Sequence, residues 1–257
     1  MGDSYFDFAQ HLSRLLCDPI FYGLDVLRGD GEPILLIPGF FAGDWSVATM
    51  ARWLTRIGWR PHLSGIDWNV GCPNEKTERL AWRLAHIQEE CGRPVVLLGH
   101  SLGGVLARAL AASYPQRVRH VVTLGSPTRM EWSAVHTRYR PALRAFQALW
   151  HALNNLPPQC GTEHCRCAFS GALESPFPSG VGLSSIFTRE DEVVDWRRCT
   201  IADGENYEVS GGHASLVVNR QVYRLLAAIL ARAMAARGND ATASSTRLTT
   251  SSPDGPR

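Results

Sequence analysis

The sequence predicts an α/β fold: a mostly parallel central sheet with helices packed on both faces. Three observations carry that expectation. Short, unbroken apolar runs recur, notably Ile34-Leu35-Leu36-Ile37 and Val95-Val96-Leu97-Leu98, and such runs belong to strands buried on both faces. Stretches with helical spacing alternate with them, which is the βα order of a parallel sheet. The chain has 257 residues, 45% of them hydrophobic and 19% charged, enough for one large core.

Taken in order, the first strand is expected over residues 34–38, bounded by Pro33 and Gly39. Residues 44–57 then read as helix, with Trp45, Ala48, Trp53 and Ile57 among the apolar positions, and residues 60–65 as a short strand. Asn74 is a candidate N-cap for a helix whose stripe is Leu80, Leu84, Ile87 and Cys91, ended by Gly92. Residues 94–98 form the next apolar strand, followed by a helix over 102–114 that Pro115 stops. Strands are expected again over 118–124, 183–188 and 206–209, and a long apolar helix over 215–236. Residues 127–182 interrupt the alternation with one helical stretch (142–153) and a Pro/Gly/Cys-rich remainder, too long for an ordinary loop. Residues 238–257 are rich in Ser and Thr and are expected to be a disordered tail on a domain of residues 1–237.

Charge excludes one class of function. There are 26 basic and 24 acidic side chains, a net charge of +2, without the clustered cations that nucleic acid requires. No apolar run is long enough to span a bilayer. The start of the chain, Met1-Gly2-Asp3-Ser4-Tyr5-Phe6-Asp7, lacks a basic segment ahead of an apolar one, so the expected location is cytoplasmic. The cysteines are Cys17, Cys72, Cys91, Cys160, Cys165, Cys167 and Cys199. Around Cys160, Cys165 and Cys167, with His164 between them, three readings stay open: zinc, a local disulfide reaching Cys199, or free thiols.

Chemistry concentrates at Gly99-His100-Ser101-Leu102-Gly103-Gly104, a G-x-S-x-G motif between an apolar strand and a helix. A tight strand-to-helix turn lifts the Ser101 hydroxyl above the sheet, and the Leu102 N–H at the helix start faces a developing oxyanion. A serine nucleophile needs a base. Of nine histidines, His213 stands apart, because Ser210-Gly211-Gly212 puts it on a loop just past the last strand. His100 is a variable position of the turn, and His136, His151 and His164 fall in the insertion. The base needs a carboxylate to fix its tautomer. Asp191 lies just beyond the strand of residues 183–188, with Asp195 as competitor, and Glu190 and Glu192 read as solvated.

The order Ser101, Asp191, His213, together with Leu36-Ile37-Pro38-Gly39-Phe40 and Gly212-His213, resembles the lipase and esterase branch of the α/β-hydrolase superfamily over residues 32–236. That resemblance implies a serine hydrolase that cleaves carboxylic esters through an acyl-enzyme, with an acyltransferase or thioesterase as the alternative. It also implies a second oxyanion donor after the first strand, here the N–H of Phe40 with Phe41 as neighbour; Pro38 stands where the family usually carries His. The insertion falls where the family carries a lid, and Phe40, Phe41, Trp132 and Trp150 are expected to line an apolar pocket. No cofactor or metal is called for, and the implied partner is a small apolar ester.

Overall fold

Alternating burial divides the central strands between two cores. The computed structural model describes residues 2–248 other than 158, 161, 163 and 203, with side chains from 6 to 235. In chain order the elements are α1 (Gly2–Leu16), β1 (Pro33–Ile37), α2 (Ala48–Arg56), β2 (Arg60–Leu63), α3 (Pro73–Cys91), β3 (Val95–His100) and α4 (Leu102–Ser113). They continue with β4 (Val118–Leu124), α5 (Arg140–Asn154), α6 (Ala168–Glu174), β5 (Gly182–Phe187), β6 (Glu205–Glu208) and α7 (Arg220–Leu248). Strand β1 is buried at every position. Its Ile34 and Leu36 enter one apolar cluster and its Leu35 and Ile37 the other, as the two-residue period of a strand requires.

The first cluster takes Leu15 of α1, Met50, Trp53 and Leu54 of α2, and Tyr223, Leu226 and Ile229 of α7. Trp53 is fully buried, packs on Tyr223 at 4.7 Å, and donates its indole N–H to the Ile20 carbonyl at 2.8 Å. Burial of a side chain this large contributes about 2–3 kcal/mol. The second cluster takes Leu80, Leu84 and Ile87 of α3, Leu106 and Leu110 of α4, and Phe169 of α6. Both faces of the sheet are thereby covered.

All six strands are parallel, in the order β2-β1-β3-β4-β5-β6. The chain leaves β1 toward one side of the sheet for β2 and returns on the other side for β3. Such a switch opens a crevice beyond the carboxyl ends of the two strands, where the segments after β1 and β3 carry Phe40 and Ser101.

Several boundaries differ from expectation for physical reasons. Pro73, whose missing N–H costs nothing in a first turn, begins α3 behind Cys72 as N-cap. Asn74 does not cap; its side chain bonds Glu78 at 2.7 Å and accepts the Phe169 N–H at 3.1 Å. Helices α1 and α6 were not expected. The first is tied down by Phe8, Leu12 and Leu15, and beyond it Asp18 takes Arg224 of α7 at 2.7 and 2.9 Å. The final helix runs on to Leu248, so helical backbone covers residues 238–248 of the expected tail, and residues 249–257 lie outside the described residues.

Candidate active site

The turn between β3 and α4 has room for one side chain only. Ser101 sits in it with φ 52° and ψ −123°, a conformation that costs a non-glycine residue about 1–3 kcal/mol. The residues two before and two after it must be glycine. A Cβ on Gly99 would stand 2.4 Å from the Gly103 backbone, and one on Gly103 would stand 2.2 Å from the Ile37 carbonyl oxygen. The Ser101 N–H is anchored on the Leu124 carbonyl of β4 at 2.8 Å, which leaves the side chain facing a cleft.

Two backbone donors at this edge are unspent. Among the described residues, neither the Phe40 nor the Leu102 N–H has an acceptor. The Phe41 N–H, in contrast, goes to the Asn69 carbonyl at 3.3 Å. Buried Asn69 also donates its side-chain N–H to the Pro38 carbonyl at 2.7 Å, fixing the segment that carries Phe40. Of the two neighbouring residues, Phe40 is the one with a donor to offer.

His213 and Asp191 meet directly. His213 Nδ1 lies 2.6 Å from Asp191 Oδ2, with side chains only 9% and 1% exposed. The other oxygen, Oδ1, accepts the N–H groups of Val193 at 2.9 Å and Val194 at 2.7 Å. With its Nδ1–H on the carboxylate, the ring keeps its Nε2 lone pair. Asp195 is used elsewhere, accepting the Arg197 N–H at 3.1 Å to cap a 3₁₀ turn. Among the described residues the Ser101 hydroxyl makes no hydrogen bond, to His213 or to any other group; in substrate-free sites this contact is commonly long.

His100 links the two neighbourhoods. Its ring lies 4.9 Å from that of His213, and its Nε2–H donates to the His213 carbonyl at 3.1 Å. Burial, with the nearby His213 second, pushes the His100 pKa down to about 3. The ring therefore stays neutral and acts as a fixed donor at ordinary pH.

The loop that carries His213 is held by carboxylates. Glu190 accepts the Gly211 N–H at 2.9 Å, Asp7 of α1 accepts the Gly212 N–H at 3.0 Å, and Glu192 accepts the His213 N–H at 2.9 Å. The expectation that Glu190 and Glu192 are merely solvated is thus overturned: flanking Asp191, they point the same way and grip the same loop. The insertion braces this segment from the other side. His136 donates Nε2–H to the Asp191 carbonyl at 3.1 Å, and Val135 forms an antiparallel bridge with Val194. His100, His136 and Asp7 escaped the sequence reading because nothing near them in the chain marks their partners.

The cleft beside Ser101 measures about 150 Å³ and is lined mainly by apolar side chains, among them Phe40, Leu102, Met130, Trp132, Phe146 and Trp150. Phe41 is not part of this wall. It packs outside at a tilt, its ring centre 4.3 Å from that of Phe146, and is 38% exposed.

A second serine–histidine pair lies at the amino ends of the strands. His120 of β4 bonds Ser184 Oγ of β5 at 2.8 Å, and that hydroxyl donates to Glu205 of β6 at 2.7 Å. Ser184 is fully buried, so no substrate reaches it. Among the described residues no three His, Cys, Asp or Glu side chains form a metal-binding group, and no helix is long and apolar enough to cross a membrane.

Comparison with known proteins agrees with this architecture. A family model described as the α/β hydrolase fold matches residues 32–151. A structure from work on LipS and LipT, two metagenome-derived lipolytic enzymes, is similar with a TM-score of 0.57 at 17% identity, covering 81% of this chain and 96% of that one. The lipase BlEst2 of Bacillus licheniformis has a TM-score of 0.57 at 14% identity, with 80% and 94% covered. The monoacylglycerol lipase of Paleococcus ferrophilus has a TM-score of 0.54 at 14% identity, with 82% and 100% covered. No curated protein matches the chain in sequence. At these identities the likeness is one of fold.

Proposed function

We propose that this chain, which has the α/β-hydrolase fold, is a serine hydrolase of small apolar carboxylic esters. The observation that carries the reading is the 2.6 Å bond between His213 Nδ1 and Asp191, made at the same sheet edge as the strained turn of Ser101. Ser101 Oγ attacks the ester carbonyl carbon while its proton passes to His213 Nε2. Asp191 balances the imidazolium charge. The tetrahedral oxyanion accepts the N–H groups of Phe40 and Leu102, a pair worth about 10²–10³ in rate per donor. Collapse of the intermediate expels the alcohol, which takes the proton from Nε2. Water, deprotonated by the same nitrogen, then attacks the acyl carbon and releases the acid.

The apolar cleft sets the substrate class. Walls of Met130, Trp132, Phe146 and Trp150 favour an aliphatic or aryl group over a sugar or a phosphorylated compound. The lipase names of the structural neighbours point in the same direction.

The reading is tested with a fluorophosphonate probe and p-nitrophenyl esters of rising chain length. Wild type is expected to be labelled on Ser101 and to turn over the esters, and Ser101→Ala to lose both, with turnover down about 10⁶-fold. An unlabelled wild type refutes the proposal. Labelling without ester turnover redirects it to acyl transfer onto another acceptor.

A further inference from the structure

Helix α5 turns one stripe of side chains to the cleft. Leu143, Phe146, Gln147, Trp150 and His151 all line it, the i, i+3, i+4, i+7 and i+8 positions of a single helical face. Such a face is expected to be apolar, yet Gln147 and His151 interrupt it. His151 is moreover the one buried residue of α5, only 7% exposed.

Indoles aside, the polar side chains lining the cleft are Ser101, Glu131, Gln147, His151 and Thr162. Ser101 is the proposed nucleophile. Glu131 accepts the Ser133 hydroxyl at 2.8 Å and pairs with Arg198 at 3.6 Å. Thr162 donates its hydroxyl to the Gln159 carbonyl at 2.7 Å. Gln147 donates an amide N–H to the Cys160 carbonyl at 2.9 Å, and among the described residues nothing donates to its Oε1. No disulfide joins Cys160 to Cys199: both are free thiols, and the Cys199 thiol lies 3.9 Å from the Asp195 carbonyl. The His151 ring has no hydrogen-bond partner among the described residues.

An imidazole carries at least one N–H whether neutral or protonated. Buried without an acceptor, that donor is costly, and a hydrocarbon group filling the cleft would leave it so. We propose that His151 and Gln147 are specificity-determining residues that read one hydroxyl on an otherwise apolar ester. The hydroxyl oxygen accepts the His151 N–H, and its own proton goes to Gln147 Oε1. The two side chains stand one turn apart on the same face, within reach of a single group between them. A ketone would satisfy the ring alone, and a carboxylate has no proton to give the amide oxygen. The assignment rests on ester hydrolysis at Ser101 and adds where substrate polarity belongs, on the group packed against α5.

Two series of esters test this on the full chain. p-Nitrophenyl hexanoate, octanoate and decanoate are compared with their ω-hydroxy counterparts, and hexyl, octyl and decyl acetates with the monoacetates of the matching diols. In one series, at one chain length, wild type is expected to favour the hydroxylated member in kcat/KM by about tenfold or more. His151→Phe is expected to bring that ratio to about one, by a loss on the hydroxylated ester and a gain on the plain one. Gln147→Met is expected to lower it about threefold; Gln147 is less buried than His151, so this variant reports even where His151→Phe does not fold. Plain esters preferred or equal at every length in both series overturn the proposal, as does a ratio that survives both variants. Calorimetry of the same pairs on Ser101→Ala reads the preference without turnover, with affinity about tenfold higher for the hydroxylated member. Should wild type hydrolyse none of the esters, the hydrolase reading fails, and equal affinities in calorimetry overturn the hydroxyl site separately.

Discussion

Among the described residues, a serine, a histidine and a carboxylate lie at each end of the same strands, and only one of the two sets is joined by hydrogen bonds throughout. Beyond the carboxyl ends, Asp191 binds the ring nitrogen of His213 at 2.6 Å and Ser101 stands at the cleft. At the amino ends, His120, Ser184 and Glu205 run in a row across β4, β5 and β6. The residue types match; the order of the hydrogen bonds does not. In the first set the histidine is bonded to the acid and keeps the lone pair of its other ring nitrogen. In the second the serine is the middle member, receiving the ring's N–H and giving its own proton to Glu205. A hydroxyl so committed has no base facing it. Composition alone therefore does not make a nucleophile; the direction of proton donation and access to solvent do.

Paired acid replacements should break that comparison most sharply. Asp191→Asn is expected to lower kcat on a p-nitrophenyl ester about 10⁴-fold, whereas Glu205→Gln leaves kcat within about twofold. Equal losses would put the chemistry at neither end. A smaller effect should come from the carboxylates that hold the His213 loop. Asp7→Asn and Glu192→Gln keep the side-chain shape and weaken the grip on a backbone N–H. Each is expected to cost about tenfold in kcat with KM nearly unchanged, as for a base displaced from its working geometry. A loss confined to KM would mean that these groups shape the cleft and do not position the histidine.

The smallest effect belongs to the amino-end grouping and concerns stability. Burial pushes His120 down to about 4, from an ordinary value of 6.5. Between those values the unfolded chain takes up a proton that the folded one refuses, so stability falls as pH drops through this window. His120→Gln is expected to reduce the difference between urea melts at pH 7 and pH 4.5 by about 1–2 kcal/mol. An unchanged difference would show that His120 does not carry that pH dependence.

Local pattern made much of this legible. Strands β1 and β3 were marked by unbroken apolar runs, and the serine turn by two glycines that its packing demands. What stayed hidden was of two kinds. Some elements do carry a local signal: Phe8, Leu12 and Leu15 repeat at the spacing of an amphipathic helix, although the expected elements begin only at residue 34. Other features have no local signal at all. Asp7 meets Gly212 across 205 positions. Glu190 and Glu192 look like surface charges until the loop opposite them is known.

The bond from Asp7 to Gly212 also sets an order in time. On the ribosome the helix that carries Asp7 is made 205 positions ahead of Gly212 in the loop it holds. A nascent chain holds its serine long before its histidine has an anchor. The His213 loop is thus anchored by a segment made long before it, and a chain that ends short of residue 212 has Ser101 in place but no held histidine.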